Sequence, residues 1–328
     1  MCIRDSINRE VTKDYDFVNE NDNFNRLVGL EYDLISKGNL WNGRFFAYNS
    51  FSPLKKEDGF SGGIRITRET RKHKINFEYS YLGDDYRTDL GILRRIGASK
   101  LAPYYQYTFF PKNGKVNNIS FGFYYWLWFK LNTSSENILE NNFQIPLTFT
   151  FNNQSEIQLM YRQAHQFFKR DFDPTGINDD NPLVGGKIYK SNYIKLAYES
   201  NPTKKFYFAL SNNYGKFFDG RKYSFKKSLN LRVQPRLLAG MIINYDRIKL
   251  RHFNHYDELW LVGPKIDYTF NKKLFWSNLI QFSSQSENFG INSRLQWRFS
   301  GLSNLFLVFN DNYLVEDELI PRMRLSLI

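Results

Sequence analysis

Apolar and polar residues alternate with period two from one end of the chain to the other. Phe143, Ile145, Leu147, Phe149 and Phe151 fall on one face of a strand, and Gln144, Thr148, Thr150 and Asn152 on the other. Ile75, Phe77, Tyr79 and Tyr81 alternate with Lys74, Asn76, Glu78 and Ser80. Leu229, Leu231 and Val233 alternate with Ser228, Asn230, Arg232 and Gln234. Successive side chains of a strand point to opposite faces, so each segment has an apolar face and a polar one. No segment holds a 3.6-residue period over three turns. The pattern predicts 17 strands, at 25–36, 39–51, 60–70, 73–82, 101–111, 117–132, 139–152, 155–165, 190–200, 204–214, 223–234, 239–250, 258–271, 274–284, 288–300, 303–311 and 321–328.

The connections alternate in length. Lys37-Gly38, Arg71-Lys72, Asn153-Gln154, Thr203, Lys272-Lys273 and Gly301-Leu302 mark tight turns. Longer links lie between them at 52–59, 83–100, 166–189, 215–222, 251–257 and 312–320, with shorter members at 133–138 and 285–287. A meander with one tight end and one elaborate end is the signature of outer-membrane barrels. A strand of about eleven residues spans roughly 36 Å, and a tilt of about 45° reduces this to roughly 25 Å, the height of the apolar band of such a barrel. Lipid offers no hydrogen-bond partner, so an open sheet edge would strand backbone groups. The expected fold class is therefore all-β, an up-and-down antiparallel transmembrane β-barrel of about 17–18 strands. With 312–320 on the outer side, strand 321–328 runs towards the periplasm. Strand 25–36 then runs the same way, and an upward strand must precede it, for which Asn8–Phe17 carries a weak pattern.

The ends divide the chain further. Met1–Ser6 (MCIRDS) is expected to be a translated sequencing-adapter remnant, which would make Cys2, the only cysteine, foreign to the protein. Residues 7–24 are expected to form a weak strand and loop, and 25–328 the barrel, cut within its last strand.

Leu295-Gln-Trp-Arg-Phe299 and Ser303-Asn-Leu-Phe-Leu-Val-Phe-Asn-Asp311, with Gly263-Pro-Lys-Ile-Asp-Tyr268 before them, carry a resemblance. Asp89-Leu-Gly-Ile-Leu-Arg-Arg95 and Tyr104-Tyr-Gln-Tyr107 extend it more loosely, with Ile92-Leu93 where a Phe-Val pair is usual. Over most of 15–328 the chain resembles a family of outer-membrane barrels, a domain of unknown function. Its members usually carry an N-terminal domain like the family-nine carbohydrate-binding modules. The resemblance implies a surface barrel linked to polysaccharide binding or uptake. It implies no catalytic residues.

Composition changes the picture in two places. The chain has 328 residues and 18% aromatics, yet its mean hydropathy is only -0.53. The longest apolar run, Phe123–Phe129, is too short for a transmembrane helix. Forty-five Lys and Arg against 33 Asp and Glu give a net charge of +12. Nucleic-acid binding, the usual reading of such a charge, requires a patch, and here the charge is spread along the chain. Lys195, Lys226, Arg232, Arg247, Lys249, Arg294 and Arg298 are placed on the polar face as lumen-lining candidates. Fixed cations there would favour anionic solutes. The plain alternative, preferred here, pairs them across strands with carboxylates such as Glu31, Glu78, Glu156, Glu199, Asp246 and Asp267.

Other candidates are weaker. Asp171, Asp173, Thr175 and Asp179 place oxygens at spacings that partly match a Ca²⁺ loop, but Pro182 stands where the bidentate glutamate belongs. Turn-making is the simpler role for these residues. His252-Phe-Asn-His255 lacks the helical carboxylate of the known hydrolase motif. Trp41, Trp126, Trp128, Trp260, Trp276 and Trp297 read as interface girdles before they read as stacking platforms. There is no nucleophile elbow and no phosphate-cradling glycine loop, so a non-catalytic protein without a cofactor is expected. Outer-membrane lipid and lipopolysaccharide are the expected partners, a glycan is a candidate, and nucleic acid is not. The competing classes are a soluble secreted all-β glycan-active or lectin-like protein, an enzyme using the long loops, and a porin or receptor barrel for an anionic solute.

Overall fold

The computed structural model describes residues 24–53, 58–89, 93, 95–130, 138–177, 182–251, 255–301, 303–315 and 319–322. Every regular element among them is a strand. The first nine are β1 Arg26–Ile35, β2 Trp41–Phe51, β3 Phe60–Glu69, β4 His73–Leu82, β5 Ala98–Leu101, β6 Tyr104–Phe109, β7 Val116–Phe129, β8 Ile138–Phe151 and β9 Glu156–Phe168. The rest are β10 Lys187–Glu199, β11 Phe206–Phe217, β12 Gly220–Val233, β13 Leu237–Lys249, β14 Asp257–Asn271, β15 Leu274–Ser283, β16 Asn288–Arg298, β17 Asn304–Val315 and β18 Leu319–Arg322. All belong to one sheet and neighbours pair antiparallel. The fold class is the up-and-down antiparallel meander of the transmembrane β-barrels.

Three local expectations change. The strand expected at 101–111 is two, because Pro103 has no N–H to give the ladder. β5 pairs with β4 and β7, β6 pairs with β4, and Ala102 exchanges both backbone bonds with Glu78 between them. β5 also begins at Ala98, inside the expected link 83–100. The link expected at 215–222 is a hairpin turn of Phe218 and Asp219 alone, with Phe218 left-handed at φ 52°. Segments 1–6 and 7–23, and residues 323–328 of the expected last strand, lie outside the described residues.

The expected alternation of connection lengths holds over part of the sheet only. Residues 36–40, 70–72, 152–155, 200–205, 234–236 and 272–273 are short and 52–59, 83–97, 169–186 and 250–256 are long. Residues 218–219, 284–287 and 316–318, which belong to the expected long series, are as short as the tight turns. The last is short because β17 runs on to Val315 and β18 begins at Leu319, within the expected link 312–320.

The chain divides into two compact units. Unit 1 comprises Met1–Phe109, Ser120–Ile145 and Ala164–Phe167; unit 2 comprises Phe110–Ile119, Pro146–Gln163 and Phe168–Ile328. In unit 1, Val28, Leu30, Tyr32 and Leu34 share a face with Phe45, Ile64, Ile66, Ile75 and Phe77. Tyr32 is 62% exposed. In unit 2 the rows Phe206–Leu231–Ala239–Ile266 and Phe208–Leu229–Met241–Pro264 form the corresponding face. Ile194 and Leu307 on that unit are each 58% exposed.

Buried apolar side chains among the described residues are few: Tyr86, Ala98, Ala102, Leu139, Leu183, Ile248 and Leu250. A soluble sandwich would bury its aromatic faces against each other. Here those faces point outwards, and a contiguous exposed apolar surface of this extent requires a nonpolar surrounding.

Candidate functional site

The polar face of unit 1 is a row of paired charges. Register places Asp33 beside Arg44, Arg44 beside Arg65, and Arg65 beside Glu78. Arg44 Nη2 donates to Glu31 at 2.8 Å. Arg65 donates to Glu78 through Nε at 3.0 Å and Nη2 at 2.7 Å, and Lys100 Nζ donates to the other Glu78 oxygen at 2.6 Å. Cross-strand pairing accounts for these cations.

Two tryptophans share this face. Register sets Trp128 opposite Lys100, whose ammonium reaches Glu78, so Trp128 and, two residues back, Trp126 project to the polar side. Tyr124 and Tyr104 extend the strip with ring centroids 6.2 Å apart. Trp41, Trp260, Trp276 and Trp297 are each at least 40% exposed, and Trp260, Trp276 and Trp297 lie in apolar rows of unit 2. The sequence reading grouped all six as girdle; strand parity counted from Glu78 through Lys100 separates two of them.

The polar face of unit 2 keeps more positive charge. Lys222 pairs with Asp246 at 2.8 Å and Lys265 with Asp267 at 2.9 Å. Lys195 donates to Gln158 at 2.9 Å. Lys226, Arg232, Arg294 and Arg298 form no ion pair among the described residues. Three of these lie against rings: Arg232 is 5.3 Å from the centroid of Tyr207, Arg294 5.8 Å from Phe306 and Arg298 5.9 Å from Phe275. Lys195 and Lys226 line a hollow of about 470 Å³ with Glu156, Glu199 and Ile242.

Arg247 and Lys249 are placed elsewhere. Arg247 is opposite Tyr223, and Lys249 opposite Arg221, on the side that carries Tyr245 and Trp260. They share no face with Lys226 and Arg232. The signal was present in the strand itself, because Met241, Ile243 and Tyr245 fix the parity that 247 and 249 continue.

The long loop of unit 2 is held by turns. Asp173 accepts from the backbone N–H of Thr175 at 2.8 Å and of Ile177 at 2.8 Å, and from the Thr175 hydroxyl. Asp171 accepts from Gly185 N–H at 2.6 Å. Both carboxylates thus fasten backbone, and Asp179 lies outside the described residues. His255 Nε2 lies 3.1 Å from Asp257, and His252 is outside the described residues. No group of three metal-ligating side chains occurs among the described residues.

Phe168, Phe172, Tyr189 and Phe218 pack as a ring cluster beneath the loop, with Phe168 stacked on Phe172 at 3.7 Å. Gln285 Nε2 donates to Thr175 O at 2.8 Å, tying the loop to the β15–β16 turn. Gln285→Ala should speed tryptic cleavage at Lys169 and Arg170 about fivefold in the folded protein, the ratio for one hydrogen bond of about 1 kcal/mol. Limited proteolysis followed by mass spectrometry measures it. In unit 1, loop 83–97 folds back on the β2–β3 link through Gly83 N–H to Phe60 O and Asp85 N–H to Asp58 O. Tyr86 is buried there, and that burial raises its phenol pKa above the ordinary value.

No curated protein matches the chain. Among solved structures, it is similar to Salmonella typhi OmpF in complex with daunomycin, at 10% identity and a TM-score of 0.43, over 82% of this chain and 85% of that one. It is also similar to the ferric-catecholate import receptor Fiu of E. coli K12, at 6% identity and 0.41, over 89% and 68%. The siderophore receptor PirA of Acinetobacter baumannii matches at 8% identity and 0.40, over 89% and 66%. The model of one family, described as a domain of unknown function, DUF5916, matches residues 5–274. With more than half of its length matched, the chain belongs to the DUF5916 family.

Proposed function

We propose that the chain is a non-catalytic β-barrel of the bacterial outer membrane whose polar face engages a glycan. The observation that carries the glycan is the pair Trp126 and Trp128 on the polar side of unit 1, beside Tyr124. Lipid contact accounts for the outward tryptophans, but it cannot account for rings that share a face with Glu78 and Lys100. A sugar ring offers a flat C–H surface to an aromatic ring and hydroxyls to neighbouring charged and amide side chains. An N-terminal carbohydrate-binding module, of the kind the sequence resemblance implies, would deliver such a ligand.

The test is current block in planar bilayers. Oligosaccharides added to the reconstituted protein should interrupt the current, and Trp126→Ala/Trp128→Ala should weaken the block about tenfold or more, at about 1–3 kcal/mol per stacked ring lost. If no oligosaccharide perturbs the current, or if the double variant behaves as the parent, the glycan reading fails.

A second reading has its own observation. Lys226, Arg232, Arg294 and Arg298 leave the polar face of unit 2 with a cation surplus, which favours an anionic solute by Coulomb attraction. Reversal potentials in a salt gradient should show anion preference, and Arg294→Gln/Arg298→Gln should shift them towards zero. Cation preference in the parent would exclude this reading.

A further inference from the structure

The outward face of unit 2 changes chemistry along its height. Above the two apolar rows come Leu210–Lys227–Ile243–Val262 and then Asn212–Phe225–Tyr245–Trp260. Tyr214–Tyr223–Arg247–Glu258 follows, and Lys216–Arg221–Lys249 completes the series. The ten residue steps from Phe206 to Lys216 cover about 34 Å along the strand and about 24 Å in height at a tilt of about 45°, which equals the apolar band of an outer-membrane barrel. The basic row therefore stands where hydrocarbon gives way to headgroups, directly beyond the aromatic row. Lys227 is the one charge lower down in these four strands, in the row of Ile243.

The basic row is also a built hollow. Tyr214, Lys216, Arg221, Tyr223, Arg247, Lys249 and Tyr256 line an open groove of about 870 Å³, with Asp219 at its edge. Arg221 Nη1 donates to the Tyr214 hydroxyl at 3.2 Å. The Arg247 guanidinium lies 4.1 Å from the Tyr256 centroid and is held by Glu258 at 3.4 Å. Lys249 Nζ lies 4.9 Å from the same ring. Lys216, Arg221 and Lys249 form no ion pair among the described residues. With Arg251, which also lines it, four cations that form no ion pair among the described residues converge on one groove, at the loop end where 250–256 emerges.

We infer that this groove binds the phosphate headgroup of an anionic outer-leaflet lipid, with Lys216, Arg221 and Lys249 as its cation clamp and Tyr256 as its side wall. A free phosphate has the same chemistry, but the groove opens on the lipid-facing side above an aromatic row, which selects the lipid. Each basic residue near an anionic membrane surface gains about 1 kcal/mol from the headgroups, an attraction confined to about a Debye length. The inference rests on the outer-membrane reading of the chain.

The experiment uses the whole chain in phosphatidylcholine nanodiscs doped with bisphosphorylated lipid A or with its dephosphorylated form, read by native mass spectrometry after detergent release. Incorporation into nanodiscs tests the membrane reading first and separately. Retention of the bisphosphorylated lipid over the dephosphorylated one is expected, and Lys216→Gln/Lys249→Gln should weaken it about thirtyfold, the ratio for two basic residues lost at a charged surface. Lys272→Gln/Lys273→Gln, the same charge removed at the opposite end of the strands, should leave retention unchanged. Equal retention of both lipids, equal loss in the two double variants, or full displacement by inorganic phosphate at equimolar concentration would each overturn the assignment.

Discussion

Ile243→Arg should destabilise the folded protein in lipid by about 2–4 kcal/mol, the cost of a basic side chain at the mid-plane of a transmembrane β-barrel. The neighbouring Ile242→Arg should cost well under about 1 kcal/mol, the range of an exposed site away from core and network. The two isoleucines are adjacent, of one type, in one strand, and similar in propensity. Only the side of the sheet differs. Ile243 lies in register with Lys227 and Val262, in a row two steps from the outward Tyr245 and Trp260. Ile242 lies opposite Ser228 and Gly263 and lines the hollow shared with Lys195 and Lys226. It is 44% exposed, so an arginine there can extend into water. Guanidinium unfolding of each variant refolded into vesicles measures the pair. Equal penalties would mean that both faces meet the same medium, which would return the chain to the soluble class.

Much of this was legible in the sequence, because a strand writes its two faces into alternate positions. The apolar set of Ile75, Phe77, Tyr79 and Tyr81 reappears on one side of β4, and Leu229, Leu231 and Val233 on one side of β12. What alternation cannot see is which strand lies next to which. Pro103 divides a run that reads as one strand: Ala102 keeps both backbone bonds to Glu78 on one side, while Pro103, facing the other side, accepts from Tyr125 N–H and has no donor to return. Phe218 and Asp219 read as part of a long polar link, and they close a hairpin because the rings of Phe168, Phe172 and Tyr189 gather Phe218 from distant segments. Residue type misled at Arg247 and Lys249: a charged side chain was assigned to the polar side, although the parity of Met241, Ile243 and Tyr245 runs straight into both. The same error in reverse placed Trp126 and Trp128 with the girdle. In a two-sided sheet parity outranks residue type, and exceptions to the expected type mark the positions with a specific role.

Glu78→Gln should lower stability by about 1–3 kcal/mol, between the worth of a surface pair and that of a fully buried one. Glu78 is the shared acceptor of two cations: Arg65 takes one oxygen through two N–H groups and Lys100 takes the other. Its side chain is 17% exposed, whereas Arg65 remains 57% exposed, so part of the loss is recovered by water. Glu258→Gln, whose pair with Arg247 is nearly half-exposed on both sides, should cost no more than about 1 kcal/mol. A double cycle with Arg65→Gln isolates the pair, and the coupling should shrink in high salt only to the extent that the pair is open to solvent. The same substitution also acts on selectivity. It frees two cations on the polar face of unit 1, so the reversal potential of Glu78→Gln should move towards anions while Arg294→Gln/Arg298→Gln moves it away. If both variants shifted it in the same direction, the polar face would not be where permeating ions sense charge. Opposite shifts, with the stability loss confined to Glu78→Gln, would show that unit 1 uses its carboxylates to hold strands together, while unit 2 leaves its cations uncompensated for a solute.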